Sequence, residues 1–303
     1  MSEFLPLVDA HHHVWDLNRR AQPWLDEPGL EPIRRSFDVE DLRREAIRPI
    51  AGRWLTRTVL VQCIASVPET AELLVLADKD PLIGAVVGWA DLAGADVGDV
   101  LDVLLAGTGG ANLRAVRHLV QGEPDPEWLQ QPVVERGLRA VQDRGLGYDV
   151  LIRSHQFPQA IRLAQRFPGL PLVLDHAGKP PIGPHAHRDT LPDWQRKVRV
   201  LAGFPQVRCK VSGLITEADH REWTIADIRP VWDTLMATFG PYRLMFGSDW
   251  PVCVLAGGWA RWAATVEELL HGFSEHEKQA LLCDTAAGFY RLHETWEEAL
   301  SCC

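Results

Sequence analysis

The sequence predicts an α/β fold, a closed (β/α)8 TIM barrel. Eight short runs rich in Val, Ile and Leu recur along the chain, each ending in a polar cluster. Helical periodicity fills most of the gaps between them. The length, 303 residues, suits one barrel of about 250 residues with insertions. Strands of a parallel sheet are buried on both faces, so they read as continuous apolar runs. A strand–helix repeat then sets them side by side.

The runs, in order, are Leu5–Ala10, Thr58–Cys63, Leu82–Trp89, Leu113–His118, Tyr148–Ile152, Leu172–His176, Val207–Ser212 and Leu244–Ser248. Val134, Leu138 and Val141 fall at i, i+4 and i+7, the spacing of one helix face, and Gly145 can end that helix. Trp194, Val198 and Leu201 repeat the pattern, as do Ile228, Val231 and Leu235, with Trp232 and Phe239 widening the face. Ser274 to Glu277 reads as a capping box opening the last helix. Residues 1–303 read as a single barrel domain without a linker. One stretch breaks the repeat: 15–50 is long for a strand-to-helix connection and carries Pro23, Pro28, Pro32, Trp24 and Phe37. It leaves the C-terminal end of the first strand, where barrel active sites lie, and reads as an active-site flap.

Hydrophobic residues make up 46% and charged residues 24%, the balance of a globular domain rather than of disorder or coiled coil. The net charge of −10 argues against nucleic acid or an anionic membrane as partner. No apolar run reaches the ~18 residues of a membrane span. The N-terminus lacks the basic and long apolar regions of a secretory signal. Six cysteines, none in a CxxC pair, give neither a disulfide framework nor a thiolate zinc site. Reduced thiols in the cytoplasm are the expectation, with Cys302 and Cys303 on an exposed tail. The oligomeric state is not legible.

Asp9-Ala10-His11-His12-His13 closes the first run. Alternation along a strand puts His11 and His13 on one face and His12 on the other, so the pair can share one divalent ion. The sixth run ends Leu174-Asp175-His176, and parity with Leu172 and Leu174 would point His176 inward. Asp249 follows the wholly apolar eighth run, a costly place for a carboxylate without partners. Gly247 on the same face would leave space for water beneath it. His11, His13, His176 and Asp249 thus converge on one barrel mouth, a donor set suited to a catalytic divalent ion. Only one of the neighbours Arg117 and His118 can point inward. Lys210 is expected to pair with Asp9 or Asp249. Gln62, Trp89, Arg117, His118, Lys179 and Trp250 end or follow strands and are candidates for substrate binding.

Together, VDAHHHVWD (8–16), LRAVRHLVQ (113–121), LDHAGKPPI (174–182), CKVSGLITEA (209–218) and RLMFGSDWPVC (243–253) resemble the amidohydrolase superfamily. The resemblance is closest to its branch of sugar-lactone hydrolases and dicarboxylate lactonases. It implies a metal-dependent hydrolase barrel, with His11, His13, His176 and Asp249 at metal-site and catalytic positions. The fourth run ends Arg117-His118, with no Lys to bridge two metals, and His155 lies beyond the end of the fifth. One divalent ion, zinc before others, or none is therefore implied.

The reaction expected is hydrolysis of a small lactone, an aldonolactone of a deoxy sugar. Asp249 is its general base, and His176 a metal ligand or oxyanion-orienting group. One inward Arg plus Lys179 favours a neutral lactone over a dicarboxylate. The rivals are a metal-dependent decarboxylase of the same superfamily and a sugar-binding barrel without turnover. A decarboxylase would act on an aromatic or unsaturated acid and release carbon dioxide.

Overall fold

A computed structural model describes residues 5–183 and 190–292. Cys302 and Cys303 lie outside them. The strands are β1 (Leu5–His12), β2 (Arg53–Val61), β3 (Ile83–Gly88), β4 (Leu113–His118), β5 (Gly147–Val150), β6 (Leu172–Leu174), β7 (Val207–Val211) and β8 (Leu244–Phe246). They form one sheet in sequence order, every pair parallel. A bridge between His12 and Trp250 joins the last strand to the first. Hydrogen bonds from His13 N to Trp250 O (2.7 Å) and Asp249 N to His11 O (2.8 Å) hold that seam. This is the (β/α)8 barrel expected.

Helices α1 (Val39–Glu45), α2 (Val67–Lys79), α3 (Val97–Ala106), α4 (Pro132–Asp143), α5 (Phe157–Arg166), α6 (Thr190–Ala202), α7 (Ile225–Phe239) and α8 (Gly258–Leu269) alternate with the strands. The periodic residues read from sequence are the buried ones: Val134, Leu138 and Val141 in α4, Trp194, Val198 and Leu201 in α6, and Ile228, Val231 and Leu235 in α7. Gly145 takes φ +65° just past α4. The Ser274 box is real but opens only the five-residue α9 (Glu275–Gln279). A π turn carries the chain on into α10 (Thr285–Tyr290), the last described helix.

Two apolar layers follow from strand alternation. Leu7, Leu60, Val86, Val116, Leu172, Leu174 and Phe246 pack outward among the helices. Val8, Ala10, Val59, Val61, Ala85, Val87, Ala115, Val173 and Met245 form a separate interior cluster with Ala286, Ala287 and Tyr290 of α10. Helix α10 thus plugs the bottom of the barrel. The small interior residues suit a narrow barrel filled by side chains.

His176 does turn into the site, but not by strand parity, and the space expected at Gly247 is filled. Leu172 and Leu174 face the helices and Val173 faces the interior. Parity alone would therefore turn His176 away from the barrel axis. The chain leaves strand geometry at Leu174 instead, and His176, Ala177 and Lys179 take left-handed φ of 51°, 52° and 53°. Asp249 likewise lies past the end of β8, at φ 56°. The space imagined at Gly247 is absent: a Cβ there would stand 2.9 Å from the Cβ atoms of both His11 and Ser212. Segment 15–50 is described throughout, with Leu25, Ile33 and Phe37 buried in the main core. Among the described residues no helix is long and apolar enough to cross a membrane.

Candidate active site

A bulge in β1 sets the first two ligand candidates. Asp9 pairs with Thr58 but His12 pairs with Leu60, so β1 advances three residues where β2 advances two. The extra residue lets Ala10 join the interior cluster while His11 also turns inward. His12 turns the other way, to the Thr58 hydroxyl (2.9 Å). His13 Nδ1 lies 2.7 Å from the carbonyl of Val61. A carbonyl only accepts, so Nδ1 carries the proton and Nε2 presents a lone pair. That lone pair faces His11 Nε2 at 3.2 Å.

Asp249 Oδ1 is 3.7 Å from both imidazole Nε2 atoms and 3.9 Å from Nε2 of His176. His176 Nδ1 rests 3.0 Å from the Ser212 hydroxyl at the end of β7. All four residues are buried. Gly213 (φ +60°) closes the group: a Cβ would sit 2.6 Å from His176 Nδ1 and 3.0 Å from Asp249 Oδ2. Burial raises the Asp249 carboxyl to about 7, and the nearby Lys179 and Arg117 only partly offset this. Burial also keeps His11 and His13 neutral, well below the usual imidazole range, and lowers His176 to about 3.

Beneath this group lies a layer of charges that sequence reading missed in part. Lys210 Nζ is 2.6 Å from Asp149 Oδ2, 3.0 Å from Asp175 Oδ1 and 3.2 Å from His11 Nδ1. It does not pair with Asp9, which instead accepts from the backbone N and hydroxyl of Ser248, nor with Asp249. Arg117 is the inward member of its pair. Its guanidinium reaches Asp175 (3.1 Å), the Gln62 side chain (2.9 Å) and His11 Nε2 (3.3 Å). Burial alone would raise Asp175, but Lys210, His11 and Arg117 outweigh it and hold the carboxyl well below the usual range. Asp149, with Tyr290 donating to it at 2.9 Å, is raised by burial to about 6. Both carboxylates sit in apolar runs, Tyr148-Asp149-Val150 and Leu174-Asp175. The burial argument applied to Asp249 would have found them.

The substrate-binding candidates divide. Trp250 is fully buried, its ring edge-on to Phe37 at 5.4 Å, and offers no face to a sugar. Gln62 is fully buried too and holds Arg117 rather than lining the mouth. Trp89 is half-buried and donates its Nε1–H to His118 Nδ1 (3.1 Å). Indole can only donate, so the His118 proton lies on Nε2, facing Glu123 Oε1 at 2.7 Å. His118 also stacks on Trp128, centroids 3.9 Å apart. Both its nitrogens are committed, so it orients Trp89. Lys179 is half-buried and paired with Glu217 at 2.6 Å.

The amidohydrolase family model matches residues 8–292. The chain belongs to the amidohydrolase family. It is 37% identical to L-fucono-1,5-lactonase of Burkholderia multivorans, over 95% of this chain and 96% of that one. It is 32% identical to L-fucono-1,5-lactonase of Burkholderia ambifaria, over 94% and 95%. An amidohydrolase from Burkholderia multivorans solved with bound zinc superposes with a TM-score of 0.85 at 35% identity, over 94% of this chain and 99% of that one.

The residues of this amidohydrolase fit a metal ion. His11, His13 and Asp249 each offer a ligand atom within 4.8 Å of the others, as do His11, Asp175 and His176. Two imidazole nitrogens 3.2 Å apart, one of them a bare lone pair, match the spacing of ligands on a common ion. His11, His13 and Asp249 are the better set, because His11 Nδ1 already faces Lys210.

Proposed function

We infer that the lactone this enzyme hydrolyses is a deoxy-sugar aldonolactone of the L-fucono-1,5-lactone type, with Asp249 as its general base. The observation that carries the roles is the convergence of one carboxyl raised to about 7 with three neutral imidazoles and a guanidinium. The two curated lactonases at 32–37% identity support the substrate class. The decarboxylase reading has less behind it, since decarboxylases of this fold share only 10–14% identity.

Asp249 takes a proton from water as its oxygen adds to the ring carbonyl. Arg117, braced by Asp175 and Gln62 against His11, adds fixed positive charge beneath the developing oxyanion. When the intermediate collapses, the ring C–O bond breaks and Asp249 returns its proton to the departing oxygen. The net change is addition of one water, and the product carboxylic acid ionises at neutral pH. A zinc ion held by His11, His13 and Asp249 would polarise the carbonyl or lower the pKa of water toward ~7. Trp89, steadied by His118, offers an aromatic face to the sugar ring.

A pH-indicator screen of aldonolactones and carboxylated lactones, with and without chelator and zinc, tests this reading. L-fucono-1,5-lactone and its close epimers should be the best substrates. A hundredfold preference for carboxylated lactones, or carbon dioxide release from an aromatic acid without lactone turnover, would overturn it.

A further inference from the structure

Beside the candidate catalytic group lies a cavity of about 540 Å³, walled by the segments that follow β5, β6 and β7. Its lining includes Lys179, Glu217, Thr216, Lys197 and Asp193. Polar and apolar atoms share the lining about equally, with Pro180 and Pro181 among the apolar contributors. Drug-like pockets carry only a few polar groups on apolar walls; here charged and hydroxyl side chains are as prominent as the apolar surface, which suits a hydroxylated guest.

Both inner walls run back to Asp249. On one side Lys179 follows His176 directly through the left-handed turn, its backbone N bonded to His176 O at 2.9 Å. On the other, Gly213 presses on His176 and Asp249, and its carbonyl accepts the Thr216 hydroxyl at 2.9 Å. Glu217 comes next in the chain and meets Lys179 at 2.6 Å. The pair closes a ring of contacts that starts and ends at His176.

The two lysines here are neutralised. Lys179 has Glu217, and Lys197 has Asp193 at 2.5 Å. Arg153 and His155 stand exposed on the rim. A carboxylate guest would have to compete with Glu217 for Lys179. A hydroxyl would not, because it can donate and accept. One Lys179 N–H is used by Glu217 Oε1, which leaves two donors; Oε2 has no hydrogen-bond partner among the described residues. Each side chain is 22% accessible, enough to be reached without being dissolved in solvent.

We propose that the Lys179–Glu217 pair is a hydroxyl-reading subsite, selecting lactones that carry neighbouring hydroxyl groups. The ammonium donates to one hydroxyl and the free carboxylate oxygen accepts from the next. This rests on the lactonase reading above and adds Glu217, which that reading does not use. A site built to hydrogen-bond a hydroxyl discriminates strongly against analogues that lack it, because its polar groups are then left unpaired.

The test compares Glu217→Gln and Lys179→Met with wild type on L-fucono-1,5-lactone and on δ-valerolactone, the same ring without hydroxyls. The ratio of the two kcat/KM values should fall about ten- to a hundredfold in each variant, mostly through KM, as expected when a charged hydrogen bond is lost. A ratio unchanged in folded variants, as judged by circular dichroism, overturns the proposal, since a purely structural or electrostatic role would affect both lactones alike. Binding of L-fucose by calorimetry gives a readout without turnover. Wild type that hydrolyses no lactone but binds L-fucose, with both variants binding it at least tenfold more weakly, defeats the lactonase reading and sustains the subsite. Equal binding by all three proteins, or none by wild type, overturns the subsite.

Discussion

Asp249 combines a left-handed backbone, full enclosure and a carboxyl raised to about 7. That combination is costly in a purely structural residue and useful in a proton carrier. Asp249→Asn is nearly isosteric and should leave the circular dichroism spectrum intact. Steady-state kinetics should show kcat lowered by about 10²–10⁴, the usual contribution of general acid–base catalysis. A folded variant that kept more than about a tenth of wild-type kcat would remove Asp249 from the role. Gly213 gives a second test at the same scale. Gly213→Ala puts a methyl 2.6 Å from His176 Nδ1 at a position with φ +60°. The left-handed backbone alone costs about 1–2 kcal/mol for a side chain, so a lower Tm should accompany a loss of kcat. Wild-type rates in that variant would mean that the His176–Asp249 geometry is not critical.

At the scale of elements, function gathers where strands stop. β6 and β8 are three residues long, and each hands its polar cluster to a left-handed segment that the apolar run did not foretell. Alternation predicts one inward residue from Asp175-His176; the turn delivers both, Asp175 to Lys210 and Arg117, and His176 to Asp249. The ends of β3 and β4 work as a unit in the same way, with Trp89 held by His118, and His118 by Glu123 and Trp128. If Trp89 is the platform for the sugar ring, Trp89→Ala should raise KM about tenfold, the scale of one aromatic contact. His118→Asn should raise KM in the same direction without moving the pH dependence of kcat, because neither His118 nitrogen is free to shuttle a proton. A shifted pH profile in that variant would return His118 to the list of proton carriers. The segment 15–50, which we propose as a flap, is anchored through Trp15 on Phe37 and Phe37 on Trp250.

For the whole molecule, the barrel interior holds an apolar lower half and a charged upper one. Lys210 joins them, with Asp149 and the Tyr290 plug below and His11 and Asp175 above. Removing one member of a buried ion cluster leaves its partners charged and unpaired, typically costing about 3–5 kcal/mol. Lys210→Met should therefore lower Tm markedly. The sign of its pH dependence follows from Asp149. Its folded pKa, about 6, exceeds its unfolded value near 3.8, so the native state gains protons first as pH falls. Without Lys210 that pKa rises further. The stability deficit of the variant should be largest near pH 8 and shrink toward pH 5, measured by thermal melts at both. A deficit independent of pH would mean that Lys210 is not what keeps Asp149 ionised.

The eight strands, the helices between them and the rim positions of His11, His13, His176 and Asp249 could be read from the chain alone. Burial periodicity is a local property, and strand ends are marked by the change from apolar to polar residues. Which way those rim residues point was settled only in three dimensions. The β1 bulge needs the register with β2, and the left-handed turns at His176 and Asp249 are held by packing against β7 and β1. The partners of Lys210 come from three separate strand ends. Trp250 sits where a rim aromatic would, but Phe37, more than two hundred residues earlier, packs against it and the ring is buried. Such contacts join residues far apart in sequence, and a linear pattern carries no record of them; they exist only once the barrel has closed.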